Sequence, residues 1–387
     1  MDTDPQAATR AWIDMLSAEE LALARDYTTG NHWLILVGLL VSALVTWIIV
    51  RSGVLDRLHA RLERRGWALR TWLVAALYLA VSTLLTLPLT LYQDWWRETQ
   101  YGRTSQPLGD FLGQLVLSIG LTVLLFSLFL LGVYGLLRRA GRAWWLWGGG
   151  LVAGFFAVVL LIAPPLIEPL FNEFEPIPEG EVREAVLELA TEAGVPADRV
   201  FMYDGSRQSN NFTANVSGVG GSARIAISDV AMGEASLDEV RAVTSHEIGH
   251  YVLGHVWRMV FALSVLAVLT FWLTEKLYPW FARRFGTEAP LSDARGLPVF
   301  AFVLGLLIVL AQPVINTISR MGEREADRYS LEQVGLPDAL SGALIKTAEY
   351  RYPLAGPVEE ALFYTHPTVA NRVRSAMAWK AEHATAD

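Results

Sequence analysis

Residues 72–92 read WLVAALYLAVSTLLTLPLTLY. The run carries no charge on any helical face, and it is as long as the ~20 residues that cross the hydrocarbon of a bilayer. A core helix of a large soluble protein would keep a polar face for water, and this run has none. Counting this run as 71–91, comparable ones lie at about 33–50, 111–137, 144–163, 257–274 and 297–315, which predicts six transmembrane helices. Trp33, Trp72, Trp144, Trp145, Trp257 and Trp280 stand at run ends, where an aromatic belt meets the headgroups. The composition agrees: 53% of the 387 residues are apolar and 14 are tryptophan, with a mean hydropathy of +0.34. The first thirty residues are acidic rather than basic, unlike a cleavable signal peptide, so the first span is expected to stay in the mature protein.

The chain has no cysteine, which excludes disulfides, cysteine nucleophiles and thiolate metal sites. Any metal must therefore be held by His, Asp or Glu. A net charge of -8 leaves no basic stripe for nucleic acid.

The spans divide the chain into a polar N-terminal segment (1–32), four transmembrane helices (33–165), a polar region (166–256), a transmembrane pair (257–317) and a second polar region (318–387). Two spans separate the polar regions, so both must lie on one side of the membrane. In the first, EGEVREAVLELATEAG has helical periodicity, and RVFMYD and ARIAIS read as short strands. The expected fold class is a mainly α, multi-span membrane protein whose six helices surround a small α+β domain. SLDEVRAVTSHEIGHYVLGH then reads as one helix, opened by a capping box between Ser236 and Glu239. Arginines crowd the loops near 51–70 (six of them), at Arg138, Arg139 and Arg142, and at Arg283, Arg284 and Arg295. By the positive-inside rule those loops are cytoplasmic, which turns the polar regions outward.

His246 and His250 are four residues apart, on one helical face, with Glu247 beside them. In such an HExxH pattern the histidines bind zinc and the glutamate takes the proton of the water that attacks a peptide carbonyl. His255 looks like a third ligand, but HExxHxxGxxH needs glycine and histidine where Leu253 and Val256 stand. On one continuous helix it also lies about 140° round from His250. It is expected to face the domain surface or the membrane interface. A third ligand must come from elsewhere, and SRMGEREADRYS at 319–330 offers Glu323, Asp327 and Tyr329. Glu323 and Asp327 share a face and suit a zinc ligand plus a carboxylate that orients a ligating histidine. Glu325 points away and is the weaker candidate. A plain charged helix bridged by Arg320, Arg324 and Arg328 is the bland alternative.

PLFNEFEPIPEG (169–180), DGSRQS (204–209), HEIGHYVLGH (246–255), SRMGEREAD (319–327) and THPTVANR (365–372) together resemble the type I CAAX prenyl endoproteases and their bacterial relatives, membrane-integral zinc metallopeptidases of the gluzincin group. LPLTLYQDWWRETQYG extends the likeness weakly. The resemblance implies a zincin-like catalytic domain with one Zn2+ per chain on His246, His250 and Glu323, and Glu247 as the base. It implies Asp327 as a supporting carboxylate or proton donor, His366 as the group that steadies the oxyanion, and Arg372 as a brace for the carboxylates. It further implies that the segment before ARIAIS is an edge strand along which an extended peptide lies. Where the family has an asparagine and alanine there, this chain has Thr213 and Ala214, with Asn215 next. Eukaryotic members have seven spans against the six read here, and their site faces the cytosol, against the arginine distribution.

The expected function is a membrane-embedded zinc endopeptidase, integral to a bacterial cell membrane, acting on peptides or membrane-associated proteins. The lipid bilayer and a peptide or protein substrate are its expected partners, with no nucleic acid. A silent membrane scaffold or transport protein keeping a structural zinc is the alternative, and Glu247 speaks against it, since a structural site needs no base. A hydrolase acting on a lipid ester has only membrane location in its favour.

Overall fold

In hydrocarbon no water satisfies backbone N–H and C=O groups, so each apolar run must close its own hydrogen bonds as a helix. The computed structural model describes residues 4–194, 199–211, 213–218, 222–348 and 351–384. A short helix α1 (Pro5–Ile13) precedes four long ones: α2 (Ala18–Ser52), α3 (Trp67–Leu91), α4 (Leu108–Arg139) and α5 (Trp144–Ile162). After α6 (Glu181–Glu192) and α7 (Leu237–Val252) in the polar region come α8 (His255–Phe285) and α9 (Leu297–Val334). Among the described residues six helices are long and apolar enough to cross a membrane, as the runs predict. Leu40, Phe261 and Leu310 are about 70% exposed on α2, α8 and α9, surface that only lipid covers at no cost.

The helices outrun the apolar stretches that announce them. At 38 residues, α9 is about 57 Å long, nearly twice the hydrocarbon thickness. It leaves the bilayer and continues through the polar segment until Gly335, at φ 63°, ends it. Hydropathy marks only the lipid-facing part; the polar extension is held by good helix formers and packing.

Within the bundle α5 and α8 approach closely because α5 carries small residues at the contact. A Cβ added to Gly149 would stand 2.6 Å from Val268 Cγ2 and 2.9 Å from the Ser264 carbonyl oxygen, the close backbone approach that glycine permits between membrane helices. Trp144, Phe271 and Phe300 fill the space beside this contact, and the Trp144 indole donates to Glu275 at 2.7 Å.

The polar regions build one body from both halves of the sequence. Strands β1 (Phe174–Pro176), β2 (Val200–Tyr203), β3 (Ala214–Ser217) and β4 (Arg224–Ser228) form a sheet in the order β1-β2-β4-β3. The β2–β4 pair is parallel and the other two are antiparallel. β4 is buried throughout and β3 is an edge strand, as the resemblance implies. Ile225, Ile227, Val186, Val240 and Ile248 form the core between the sheet, α6 and α7. On the other side of α7, Ala242 joins Leu331 of α9 in a second core with α10 (Pro337–Lys346), α12 (Val369–Ala384) and Ile13 of α1. A short α11 (Pro357–Phe363) leans on α9.

The helix from Ser236 departs from expectation. Its capping box is present, with Ser236 N–H donating to Glu239 at 2.7 Å and Glu239 N–H returning to the Ser236 hydroxyl at 3.3 Å. It stops at Val252, however, and does not run on to His255. Gly254 takes a left-handed conformation (φ 66°) and α8 starts at the next residue. Glycine adopts that conformation without the steric cost a Cβ brings, so the chain turns one residue after the position where the sequence pattern sought a glycine.

The Gly149 contact makes the bundle's packing testable. Gly149→Val drives a branched side chain against the Ser264 carbonyl and is expected to cost about 1–3 kcal/mol, read as a lower Tm of the detergent-solubilised protein. An unchanged Tm would contradict the close approach of α5 and α8.

Candidate metal centre and active site

Two helices from opposite ends of a membrane hairpin supply the centre. His246 and His250 stand one turn apart on α7, and Glu323 and Asp327 one turn apart on α9. The helices can pack closely because α7 has Gly249 where Tyr329 of α9 lies against it; a Cβ there would be 3.0 Å from the ring. Two turns back along α7, the Ser330 hydroxyl donates to the Ala242 carbonyl at 2.7 Å. Tyr329, one of the candidates in SRMGEREADRYS, thus packs the helices together. Of the arginines between these residues, Arg320 turns inward to the Glu360 carbonyl of α11 (2.9 Å) and Arg328 pairs with Glu332 (2.7 Å).

Three donor groups converge. His246 Nε2 and His250 Nε2 lie 3.2 Å apart, and Glu323 places Oε2 3.4 Å from the first and Oε1 3.4 Å from the second. Donors at the 2.0–2.1 Å bond lengths of tetrahedral zinc sites would be roughly 3.3 Å from one another, so this triangle has the dimensions of one face of such a site. Among the described residues it is the group of three that could hold a metal ion. Glu323 Oε2 is buried without a hydrogen bond, with Arg372 Nη1 3.6 Å away, and a metal ion would give this oxygen a direct partner. Burial opposes charge on His246, yet the Asp327 and Glu323 carboxylates beside the ring outweigh it and push it up to about 10. The centre attracts a cation, and a proton and a metal ion compete for the same nitrogen.

Each imidazole is fixed from behind. His246 Nδ1 lies 2.9 Å from Asp327 Oδ1, and Arg372 of α12 grips that carboxylate twice, through Nη2 at 2.6 Å and Nε at 2.8 Å. Arg372 Nη1 also stands 3.6 Å from Glu323. His250 Nδ1 lies 2.9 Å from Nδ1 of His255. His255 is therefore not at the surface or the membrane interface: it is 8% exposed, and the turn at Gly254 brings it back onto His250. The expectation failed because it took one helix through residue 255. Glu325 does point away from the triangle, as expected, and meets His255 and Arg258.

His366, ahead of α12, sits with Nε2 3.1 Å from Glu323 Oε1 and Nδ1 2.9 Å from the Thr365 hydroxyl. Burial pushes it down to about 3, so the ring is neutral and can donate one proton. Glu247 makes no side-chain hydrogen bond or ion pair among the described residues, and burial pushes its carboxyl up to about 7. It opens instead on a cavity of about 290 Å³ lined by Thr213, Ala214, His246, His250, Glu323 and His366. Leu340, Ala343 and Leu344 of α10 and Thr347 at its C-terminal cap also line it. Their spacing of three, four and seven was visible in the sequence as a helical stripe, but nothing in it said the stripe faces the site. A second cavity of about 470 Å³ opens beyond His250 and Glu323 toward Val216, Met259 and Ile318.

The chain is similar to known proteins. A family model described as peptidase family M48 matches residues 176–380, and one described as the CAAX prenyl protease N-terminal region with five membrane helices matches residues 5–173, where this chain has four spans. The chain is 28% identical to the uncharacterized metalloprotease YhfN of Bacillus subtilis over 82% of its length and 75% of the relative's. It is also 28% identical to a CAAX prenyl protease 1 homolog of Arabidopsis thaliana, over 94% and 88%. The crystal structure of S. mikatae Ste24p shares the fold, with a TM-score of 0.72 at 23% identity over 94% of this chain and 90% of that one. With the M48 model spanning more than half of its residues, the chain belongs to peptidase family M48, as an integral-membrane metalloendopeptidase.

Proposed function

We propose that the metal is one Zn2+ held by His246, His250 and Glu323, and that the chain uses it to hydrolyse extended peptide segments of peptides or membrane-associated proteins. The observation that carries this reading is the unpaired Glu247 carboxylate opening on the cavity beside the donor triangle. When bound, zinc supplies Lewis-acid chemistry, making a water more acidic and polarising the scissile carbonyl. Glu247 accepts the proton of the attacking water and then delivers it to the leaving amine; its raised pKa suits both directions of transfer. His366 donates its Nε2 proton toward the carbonyl oxygen as charge develops there. Asp327 and Arg372 hold His246 in the tautomer that leaves Nε2 free.

Substrate placement follows from β3. Among the described residues it is an edge strand paired with β4 alone, and Ala214 at its start and Thr213 just before it line the cavity with His246. An extended segment can add to such an edge by main-chain hydrogen bonds, which favours unfolded chain over folded domains. Thr213, in place of an asparagine, donates its hydroxyl to the Asn211 carbonyl at 3.0 Å, which leaves its oxygen to accept from that segment.

The metal triangle lies where α8 begins and α9 ends its course, so the arginine-rich loops stand at the opposite end of the bundle. There Arg295 reaches Asp56 at 3.5 Å, and residues of all three loop regions line one cavity. The positive-inside rule turns this end to the cytoplasm and the site outward.

Three outcomes are expected. Glu247→Gln keeps stoichiometric zinc but loses peptide hydrolysis by about 10²–10⁴-fold, whereas Glu323→Ala loses the metal itself, as read by metal analysis after dialysis. Wild-type turnover by Glu247→Gln would refute the role given to it. His366→Phe lowers kcat by about 10²–10³-fold while zinc content stays at one per chain; a change confined to KM would remove His366 from oxyanion stabilisation. Because the chain has no cysteine, Arg61→Cys and Ser206→Cys proteins should be labelled by an impermeant maleimide from opposite sides, Ser206→Cys from outside. Labelling of Ser206→Cys from the cytoplasm alone would reverse the orientation.

A further inference from the structure

His255 is buried beside the centre and spends both ring nitrogens on side chains. Its Nδ1 lies 2.9 Å from His250 Nδ1, and its Nε2 2.9 Å from Glu325 Oε2. The same carboxylate oxygen accepts from Arg258 Nη1 at 2.8 Å. With a metal on His250 Nε2 and His255 neutral, a single proton arrangement satisfies every contact. If His250 offers Nε2 to a metal, its one proton must sit on Nδ1, where it donates to His255. His255 then accepts at Nδ1 and must carry its own proton on Nε2, where it donates to Glu325. Neither nitrogen is left to bind a metal.

The two histidines of the HExxH motif are thus backed in parallel ways. Behind His246 stands a carboxylate held by an arginine, Asp327 with Arg372. Behind His250 stands Glu325 with Arg258, reached through the His255 ring. Two glycines make room for that ring. Gly254 turns the chain so that His255 faces back, and a Cβ on Gly322, next to Glu323, would be 3.3 Å from His255 Nδ1 and 3.2 Å from Arg258 Nη2.

We infer that His255 is a positioning residue of the metal centre: its neutral imidazole links the Glu325–Arg258 pair to His250 and fixes the tautomer and ring orientation in which His250 binds the ion. The inference rests on His250 being a ligand. Partners behind metal-binding histidines typically change metal affinity or activity by about 10- to 100-fold when removed.

The test uses the full-length protein in detergent, with zinc affinity measured by chelator competition and the Co2+-substituted visible spectrum as a second readout. His255→Phe keeps a ring but no acceptor; it should bind zinc about 10- to 100-fold more weakly and shift the Co2+ spectrum, with the Tm of the metal-free protein unchanged. His255→Asn places an amide oxygen near the Nδ1 position and should recover most of the affinity. Glu325→Gln, at a half-exposed side chain, should weaken binding in the same direction and carries the test should His255→Phe not fold. Wild-type affinity and spectrum in His255→Phe, or in Glu325→Gln where His255→Phe is lost, would overturn the inference, and so would equal defects in His255→Phe and His255→Asn. The His250→Ala control separates the two levels. Loss of zinc there with none in His255→Phe removes only the role of His255, whereas zinc retained in His250→Ala removes the ligand assignment itself.

Discussion

Three donor atoms must meet within about 3.3 Å for one ion to satisfy them, and the chain places them on two helices, α7 and α9, with a membrane-crossing pair between. His246 and His250 come free with the helical repeat, since four residues return a side chain to the same face. Glu323 does not; it arrives because α9 leaves the bilayer as an unbroken helix and lies against α7 at Gly249 and Tyr329. A side chain at Gly249 would hold the helices apart. The spanning pair is therefore part of the centre's construction as well as its anchor.

Electrostatics then keep the centre in place. Glu323, Asp327 and His246 are each buried to within about 6% of full enclosure, where uncompensated charge is costly. Arg372 answers Asp327 with two hydrogen bonds and stands near Glu323. Its nearest approach to Glu323 is Nη1 to Oε2 at 3.6 Å, longer than a hydrogen bond, so that buried oxygen has positive charge near it but no hydrogen bond.

Much of this was legible in the sequence, and what was hidden has a physical cause in each case. Membrane spans are a compositional property, so WLVAALYLAVSTLLTLPLTLY declared one at sight. HExxH and the ExxxD pair on α9 are local patterns, so their residues could be picked out before the structure brought His246, His250 and Glu323 into one triangle. The wall supplied by Leu340, Ala343, Leu344 and Thr347 was not, because a helical stripe shows that a face is buried and not against what. His255 was misjudged through one backbone angle. Gly254 ends a helix that periodicity alone would continue, and with the helix broken the 140° offset between His250 and His255 no longer applies.

Diffraction from zinc-loaded crystals, recorded on both sides of the zinc absorption edge, tests the central claim most directly. A single anomalous peak within about 2.1 Å of His246 Nε2, His250 Nε2 and a Glu323 oxygen is the predicted result. A peak on His255, or one that draws in His366 in place of Glu323, would contradict it.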